Sequence, residues 1–128
     1  MREESNKQII RQVFEEAFNH RNTALIDVLF SSHFIDQSTP DQSPGQQGVK
    51  EYFAQVHTGF PDMQVIIEDL IAEREKVVVR TTWRGTHLGK FSGVEPTGKQ
   101  VTRTMIQIFR LADGKILEEW NEESNLLE

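Results

Sequence analysis

The sequence predicts an α+β domain whose N-terminal helices pack inside a strongly curved, mainly antiparallel sheet. Three observations carry this reading. Apolar residues recur at helical spacing through the first sixty or so positions, the period changes to that of strands from Met63 onward, and Asp113-Gly114 makes a strong hairpin turn between two late strands. Helices followed by an antiparallel meander place the helices on one face of the sheet. Four or so long, strongly twisted strands tend to curl, and a sheet curled around helices leaves a cone with an open end. A small-molecule pocket would form at that mouth.

The first helix rests on Ile9, Ile10, Val13, Phe14, Ala17 and Phe18, which share one face. Ser5 followed by Gln8 suits a capping box, and the polar run Asn19-His20-Arg21-Asn22 ends the helix. A short second helix spans about 23–30, with Leu25, Ile26, Leu29 and Phe30 in period, and a third runs from about 48 to 59 on Val49, Tyr52, Phe53 and Val56. Between them, positions 38–47 are rich in Ser, Pro, Gln and Gly and read as an exposed loop. Strands follow at Val65 to Ile71, Val77 to Thr86, Val101 to Leu111 and Ile116 to Ser124. Positions 89–98 hold three glycines and Pro96 and form a loop. Phe14, Phe18, Leu29, Phe53 and Val79 are the expected core.

No repeat or linker divides the 128 residues, so positions 1–128 are read as a single domain, long enough for one real core. Hydrophobic residues at 37% and charged residues at 27% match a globular rather than a disordered chain. The longest apolar runs are far too short to span a bilayer, and no basic-then-apolar leader opens the sequence, so a cytoplasmic location is the expectation. The absence of cysteine excludes disulfides and thiolate chemistry. A net charge of −6 without a basic stripe argues against nucleic acid. Val77 to Val79 and Ile106 to Phe109 are apolar on both strand parities, which predicts a buried convex face and a homodimer.

Two motifs mislead. Gly93 to Lys99 nearly spells a phosphate-binding loop, but Gln100 stands where a Mg²⁺-binding hydroxyl is needed, and a strand follows instead of a helix. His20, His33, His57 and His87 lie far apart, without spacing that would suggest zinc. No metal site is expected.

Several segments together resemble the SnoaL-like polyketide cyclases and related ester cyclases of the nuclear transport factor 2-like superfamily. They are Phe60-Pro61-Asp62, Gly85-Thr86-His87-Leu88-Gly89, Phe91-Ser92-Gly93 through Pro96-Thr97-Gly98-Lys99, Phe109-Arg110 with Asp113-Gly114-Lys115-Ile116, and Glu119-Trp120. The resemblance implies the cone fold and a metal-free, cofactor-free mechanism. An acid on the last strand removes a proton next to a carbonyl, and the enolate closes a ring by aldol attack. A carboxylate in an apolar cone has its charged form destabilised and becomes a better base. A histidine at the mouth can donate to the developing oxyanion.

The family's last strand tends to carry a Trp with an Asp four residues later, and Trp120 plus four is Ser124. A serine is no base at neutral pH without another base beside it. Strand alternation puts Trp120, Glu122 and Ser124 on one face, so Glu122 could replace the missing acid. Equally, the strand could fray there and leave Glu122 and Glu123 as solvated terminal charges. His87 shares parity with Val79, Thr81 and Trp83, making a pocket-facing Trp83–His87 pair or a histidine that merely ends a strand. Asp36 and Gln37 begin the loop bordering the mouth, where they could orient a substrate carbonyl, although a loop-starting Asp commonly bonds its own backbone. The expected site is thus His87 and Glu122 as catalytic groups, with Trp83, Asp36, Gln37, Trp120 and Ser124 around a hydrophobic small-molecule ligand.

Three functions compete. One is a small-molecule enzyme doing acid–base chemistry, cyclisation or isomerisation, on a hydrophobic carbonyl compound. Another is a ligand-binding or interaction domain that kept the pocket and lost the acid. Epoxide hydrolysis would need an Asp-Arg-Asp set, which Arg80 or Arg103 with Asp36 supplies only in part. Fold alone does not choose among them.

Overall fold

A computed structural model describes residues 2–123 of the chain. Helix α1 (Arg2–Arg11) continues without a break into a wider, π-type helical segment, Gln12–Asn19. Together they bury Ile10, Val13, Phe14, Ala17 and Phe18 along one stripe. The helix begins upstream of Ser5, so Ser5 and Gln8 lie within its first turns and the expected capping box does not form. Its far end is tied down by Asn19, whose side-chain amide donates to Val65 O and accepts from Val65 N, each at 2.8 Å.

Helix α2 (Leu25–Leu29) stops one residue earlier than its periodicity suggests, because Phe30 is already extended and opens strand β1 (Phe30–Asp36). This strand was not expected from the sequence. Its two buried residues, Phe30 and Phe34, are four apart with Ser32 exposed between them, and the pairing register shifts between Phe30 and Ile35. Helix α3 (Gly45–Gly59) starts three residues ahead of the expected position. Strands β2 (Gln64–Glu73), β3 (Lys76–Thr86), β4 (Gln100–Ala112) and β5 (Lys115–Glu123) follow. Asp113 and Gly114 turn the last hairpin with φ of 52° and 76°, as that dipeptide favours.

The sheet has five strands in the order β1-β5-β4-β3-β2, antiparallel except for the parallel β1–β5 pair. Helices cover one face. There Val77, Val79, Thr81 and Trp83 of β3 alternate inward beside Met105, Gln107, Phe109 and Leu111 of β4. Phe14 meets the rings of Trp83 and Phe109 edge-on at 6.3 Å. All five residues expected in the core are buried. No helix among the described residues is long and apolar enough to cross a membrane.

One irregularity positions the site. Leu111 pairs with Ile116 but Arg110 pairs with Glu118, so Leu117 is an extra residue in β5. Beyond this bulge Glu119 and Asn121 lie on the concave side with Phe109 and Gln107, and Trp120 and Glu122 on the convex side with Ile108 and Ile106. On that convex face Ile71, Val78, Ile108 and Trp120 pair in turn across β2, β3, β4 and β5, an unbroken apolar row.

Candidate functional site

On the concave side a cavity of about 540 Å³ opens between α3, β1, β4, β5 and the loop after β3. Val49, Met105 and Phe91 supply apolar wall, and Asp36, Gln107, Glu119 and Asn121 gather on one side as its polar group. The parallel pairing sets Asp36 beside Glu119, and the bulge turns both Glu119 and Asn121 inward. Gln107 Nε2 donates to Glu119 Oε2 at 2.7 Å. Asn121 Nδ2 donates to the same oxygen at 3.1 Å and lies 3.4 and 3.5 Å from the two Asp36 oxygens. Asp36 Oδ1 also accepts from Ser38 N at 3.0 Å, the local bond expected of a loop-starting Asp. Burial pushes the Asp36 carboxyl above the usual carboxylate range, while bonds from Ser38, Thr39 and Asn121 act in the opposite direction. Tyr52 and Gln55 of α3 bring a phenol hydroxyl and an amide to the opposite wall.

Of the residues expected at the site, Asp36 lines this cavity. Trp83 is buried beneath it among Phe14 and Phe18, with its indole N–H donated to Thr81 Oγ1 at 2.9 Å. His87 is 1% exposed and sits in the core instead of at the mouth, its ring stacked on Phe60 at 5.2 Å and its Nδ1 3.2 Å from Thr97 Oγ1. Rings link it to the cavity: Phe60 meets Phe91 edge-on at 5.2 Å, and Phe91 is wall.

Three expected residues stand on the opposite face because of the Leu117 bulge and the pairing of β1 with β5. Gln37 donates to Glu118 Oε2 at 2.8 Å, and Arg110 holds the Glu118 carboxyl below the usual range. Trp120 lies on the convex face under Lys76, whose Nζ is 5.5 Å from the ring centre. Glu122 is exposed there and faces away from Trp83, so it does not stand in for the missing acid inside the cone. Ser124 lies outside the described residues. Arg80 is bonded to Asp69 on the convex side at 2.7 Å, so it forms no set with Asp36.

The residues that sequence reasoning missed are Glu119, Asn121 and Gln107. One signal was available: Gln107 is the single polar position in the inward stripe Met105, Gln107, Phe109, Leu111. Among the described residues no three His, Cys, Asp or Glu side chains come together in a way that could hold a metal ion.

The protein is thus an α+β domain with carboxylates set into a half-apolar cavity on the helix-covered face of its sheet. The chain belongs to the SnoaL-like polyketide cyclase family, whose model matches residues 8–126. It is similar to a provisionally assigned SnoaL-like polyketide cyclase of Jannaschia sp. CCS1, at 25% identity and a TM-score of 0.86 over 95% of this chain and 87% of that one. IdmH of Streptomyces antibioticus, a provisionally assigned polyketide cyclase, is 28% identical with a TM-score of 0.81 over 95% of each chain. AclR of Streptomyces galilaeus, a provisionally assigned hydroxylase, is 27% identical with a TM-score of 0.84, covering 98% of this chain and 93% of that one. A comparison with curated protein sequences gives no match.

Proposed function

We propose that this protein is a small-molecule enzyme that performs cofactor-free acid–base chemistry on a carbonyl compound, with Asp36 as the proton-transferring group. The observation that carries the reading is the Asp36–Asn121–Glu119 group inside the cavity, with the Asp36 carboxyl raised by burial. A carboxylate of raised pKa is a better base toward a C–H next to a carbonyl. Asp36 takes the proton, the C–H electron pair moves into the carbonyl to give an enolate, and amide and phenol groups of Gln55 and Tyr52 can donate to that oxyanion. Attack of the enolate carbon on a second carbonyl forms the ring bond, and the proton on Asp36 returns to the new alkoxide. The family supports this chemistry, and AclR's description as a hydroxylase marks how widely reactions vary on one scaffold.

The test is deuterium uptake into 2-tetralone in D₂O, followed by NMR. The wild-type chain accelerates exchange above background, and Asp36→Asn loses on the order of 10²-fold of that acceleration. A base must be ionised, so exchange falls as pH drops through the Asp36 pKa, giving an acid limb above the ordinary carboxylate range near 4. Tight binding without exchange would favour the ligand-binding reading.

A homodimer through the convex face belongs to the same proposal. The apolar row Ile71, Val78, Ile108, Trp120 is flanked by Arg80 and Glu122 on one side and by Lys76, Arg110 and Glu118 on the other. Apolar and mixed-charge rows of this kind can meet their own copy about a two-fold axis. Ile106→Lys, beside the apolar row between Arg80 and Glu122, is expected to convert a dimer to a monomer in light scattering, and a wild-type monomer at micromolar concentration would refute it.

A further inference from the structure

The loop between β3 and β4 is fastened differently along its two limbs. On the outgoing limb, Leu88 N and Gly89 N both donate to Gly59 O at 3.0 Å. A Cβ on Gly89 would collide with Thr58 O, so this limb sits directly on the end of α3. At the tip, Phe91 and Val94 exchange backbone bonds of 3.0 and 2.9 Å across Ser92 and Gly93, both of positive φ, which closes a miniature hairpin. Phe91 and Ser92 of that hairpin line the cavity. The returning limb, positions 95–99, is exposed. Among the described residues, each hydrogen bond that joins this limb to the rest of the chain goes to His87. Gly98 N donates to His87 O and His87 N donates to Lys99 O, both at 2.9 Å, and Thr97 Oγ1 lies 3.2 Å from His87 Nδ1.

The His87 ring is buried and stacked on Phe60, a place that a phenylalanine would fill without burying a polar atom. Its Nε2 has no partner among the described residues, so the contact with Thr97 is the ring's single hydrogen bond there. We infer that residues 88–98 form a flap on the rim of the cavity and that His87 and Thr97 are its latch, holding the returning limb down and Phe91 in the wall. His87 is thus a positioning residue that touches no substrate. Lifting the flap leaves both ring nitrogens of a buried imidazole unpaired, which favours the closed state. One neutral hydrogen bond shifts that balance by a factor of about ten at most, so the latch holds the flap and still lets it open. The inference goes beyond the proposed reaction and shares with it only the cavity.

The experiment is backbone amide hydrogen exchange of the full chain followed by NMR, with the Gly98 amide as reporter and the amides of β3 and β4 as controls. Thr97→Val removes the hydroxyl from an exposed side chain and keeps its shape, so the variant is expected to fold. It should speed exchange at Gly98 about 3- to 10-fold and leave the controls within about two-fold. Thr97→Ser keeps the hydroxyl and should restore wild-type protection. His87→Phe keeps a ring against Phe60 and should speed Gly98 exchange by the same factor, and in that background Thr97→Val should add nothing. Unchanged protection of Gly98 in Thr97→Val, additive effects at the two sites, or a Gly98 amide that merely follows the controls would each overturn the latch. Line shapes of 2-tetralone titrated into the protein test the flap. Its on and off rates should rise together in Thr97→Val with Kd within about two-fold, because the latch governs passage rather than the contacts inside. Faster Gly98 exchange with unaltered tetralone rates would overturn the flap. Absence of tetralone binding counts against the proposed reaction alone, since amide exchange reads the latch without any ligand.

Discussion

Gly59 ends α3 directly under the loop that walls the cavity, and replacing it with alanine perturbs a single contact. A Cβ at position 59 would lie 2.7 Å from Phe91 Cβ and 3.1 Å from Phe91 Cγ and Cδ1, far inside ordinary carbon contact. Phe91 cannot retreat freely. Leu88 N and Gly89 N both donate to Gly59 O at 3.0 Å, and the Phe91 ring is seated against Phe60. Overpacking of this kind costs about 1–3 kcal/mol. Position 59 has no positive φ, so alanine also removes chain entropy from the unfolded state and returns about 0.4–1 kcal/mol. The net expectation is a loss of about 1–2 kcal/mol. With an unfolding entropy of about 0.27 kcal/mol/K for a chain of this length, Tm falls by about 4–7 °C.

Thermal denaturation of Gly59→Ala, Phe91→Gly and the double variant forms the decisive cycle. Phe91→Gly removes the obstructing Cβ, so alanine at 59 should be neutral or mildly stabilising in that background. A coupling of about 1–2 kcal/mol between the two sites is expected. Equal destabilisation of Gly59→Ala in both backgrounds, or stabilisation in the wild-type chain, would show that Phe91 is not the obstacle. Because Phe91 is cavity wall, the single variant should also change which probe sizes bind.

Asn19→Ala removes two 2.8 Å bonds to Val65 at the edge strand β2, and should cost about 1–3 kcal/mol, or about 4–11 °C in Tm by the same entropy; a shift under about 1 °C would show that water replaces the amide. Asp36→Asn should stabilise the fold at pH 7 while losing on the order of 10²-fold of the exchange acceleration. The Asp36 pKa is raised on folding, so its stabilising contribution is full below the unfolded value near 3.9 and is lost as pH rises through the folded value. Thermal scans should therefore show the variant ahead of wild type at neutral pH and the gap closing toward pH 4. A gap that widens on acidification would refute the burial argument.

The helices and the two central strands were legible because their periods are simple. Ile10, Val13, Phe14, Ala17 and Phe18 follow a helical face, and Val77, Val79, Thr81 and Trp83 alternate without interruption. Strand β1 was not legible, because its inward Phe30 and Phe34 are four positions apart with the polar Ser31, Ser32 and His33 between them, a spacing that reads as helix. His87 and Trp83 were placed on the correct parity, but parity does not say how deep a residue sits, and Phe60, Phe14 and Phe18 close over both.

The largest difference between pattern and structure traces to one residue. Ala112 faces Lys115 and Leu111 faces Ile116; an unbroken count from that turn would set Gln107 opposite Trp120 and Met105 opposite Glu122. In such a hairpin Trp120 and Glu122 would point into the cone, as the sequence pattern suggests. The extra Leu117 advances β5 by one position, and a single-residue shift sends every later side chain to the other face. Two consequences follow together from the same bulge. Trp120 joins Ile71, Val78 and Ile108 to complete an apolar convex face. Glu119 and Asn121 enter the cavity, where Asn121 bridges Glu119 to Asp36 on the parallel strand beside it. A carboxylate pair inside and an apolar row outside are therefore coupled features of this chain: with Leu117 in place, β5 cannot present either one without the other.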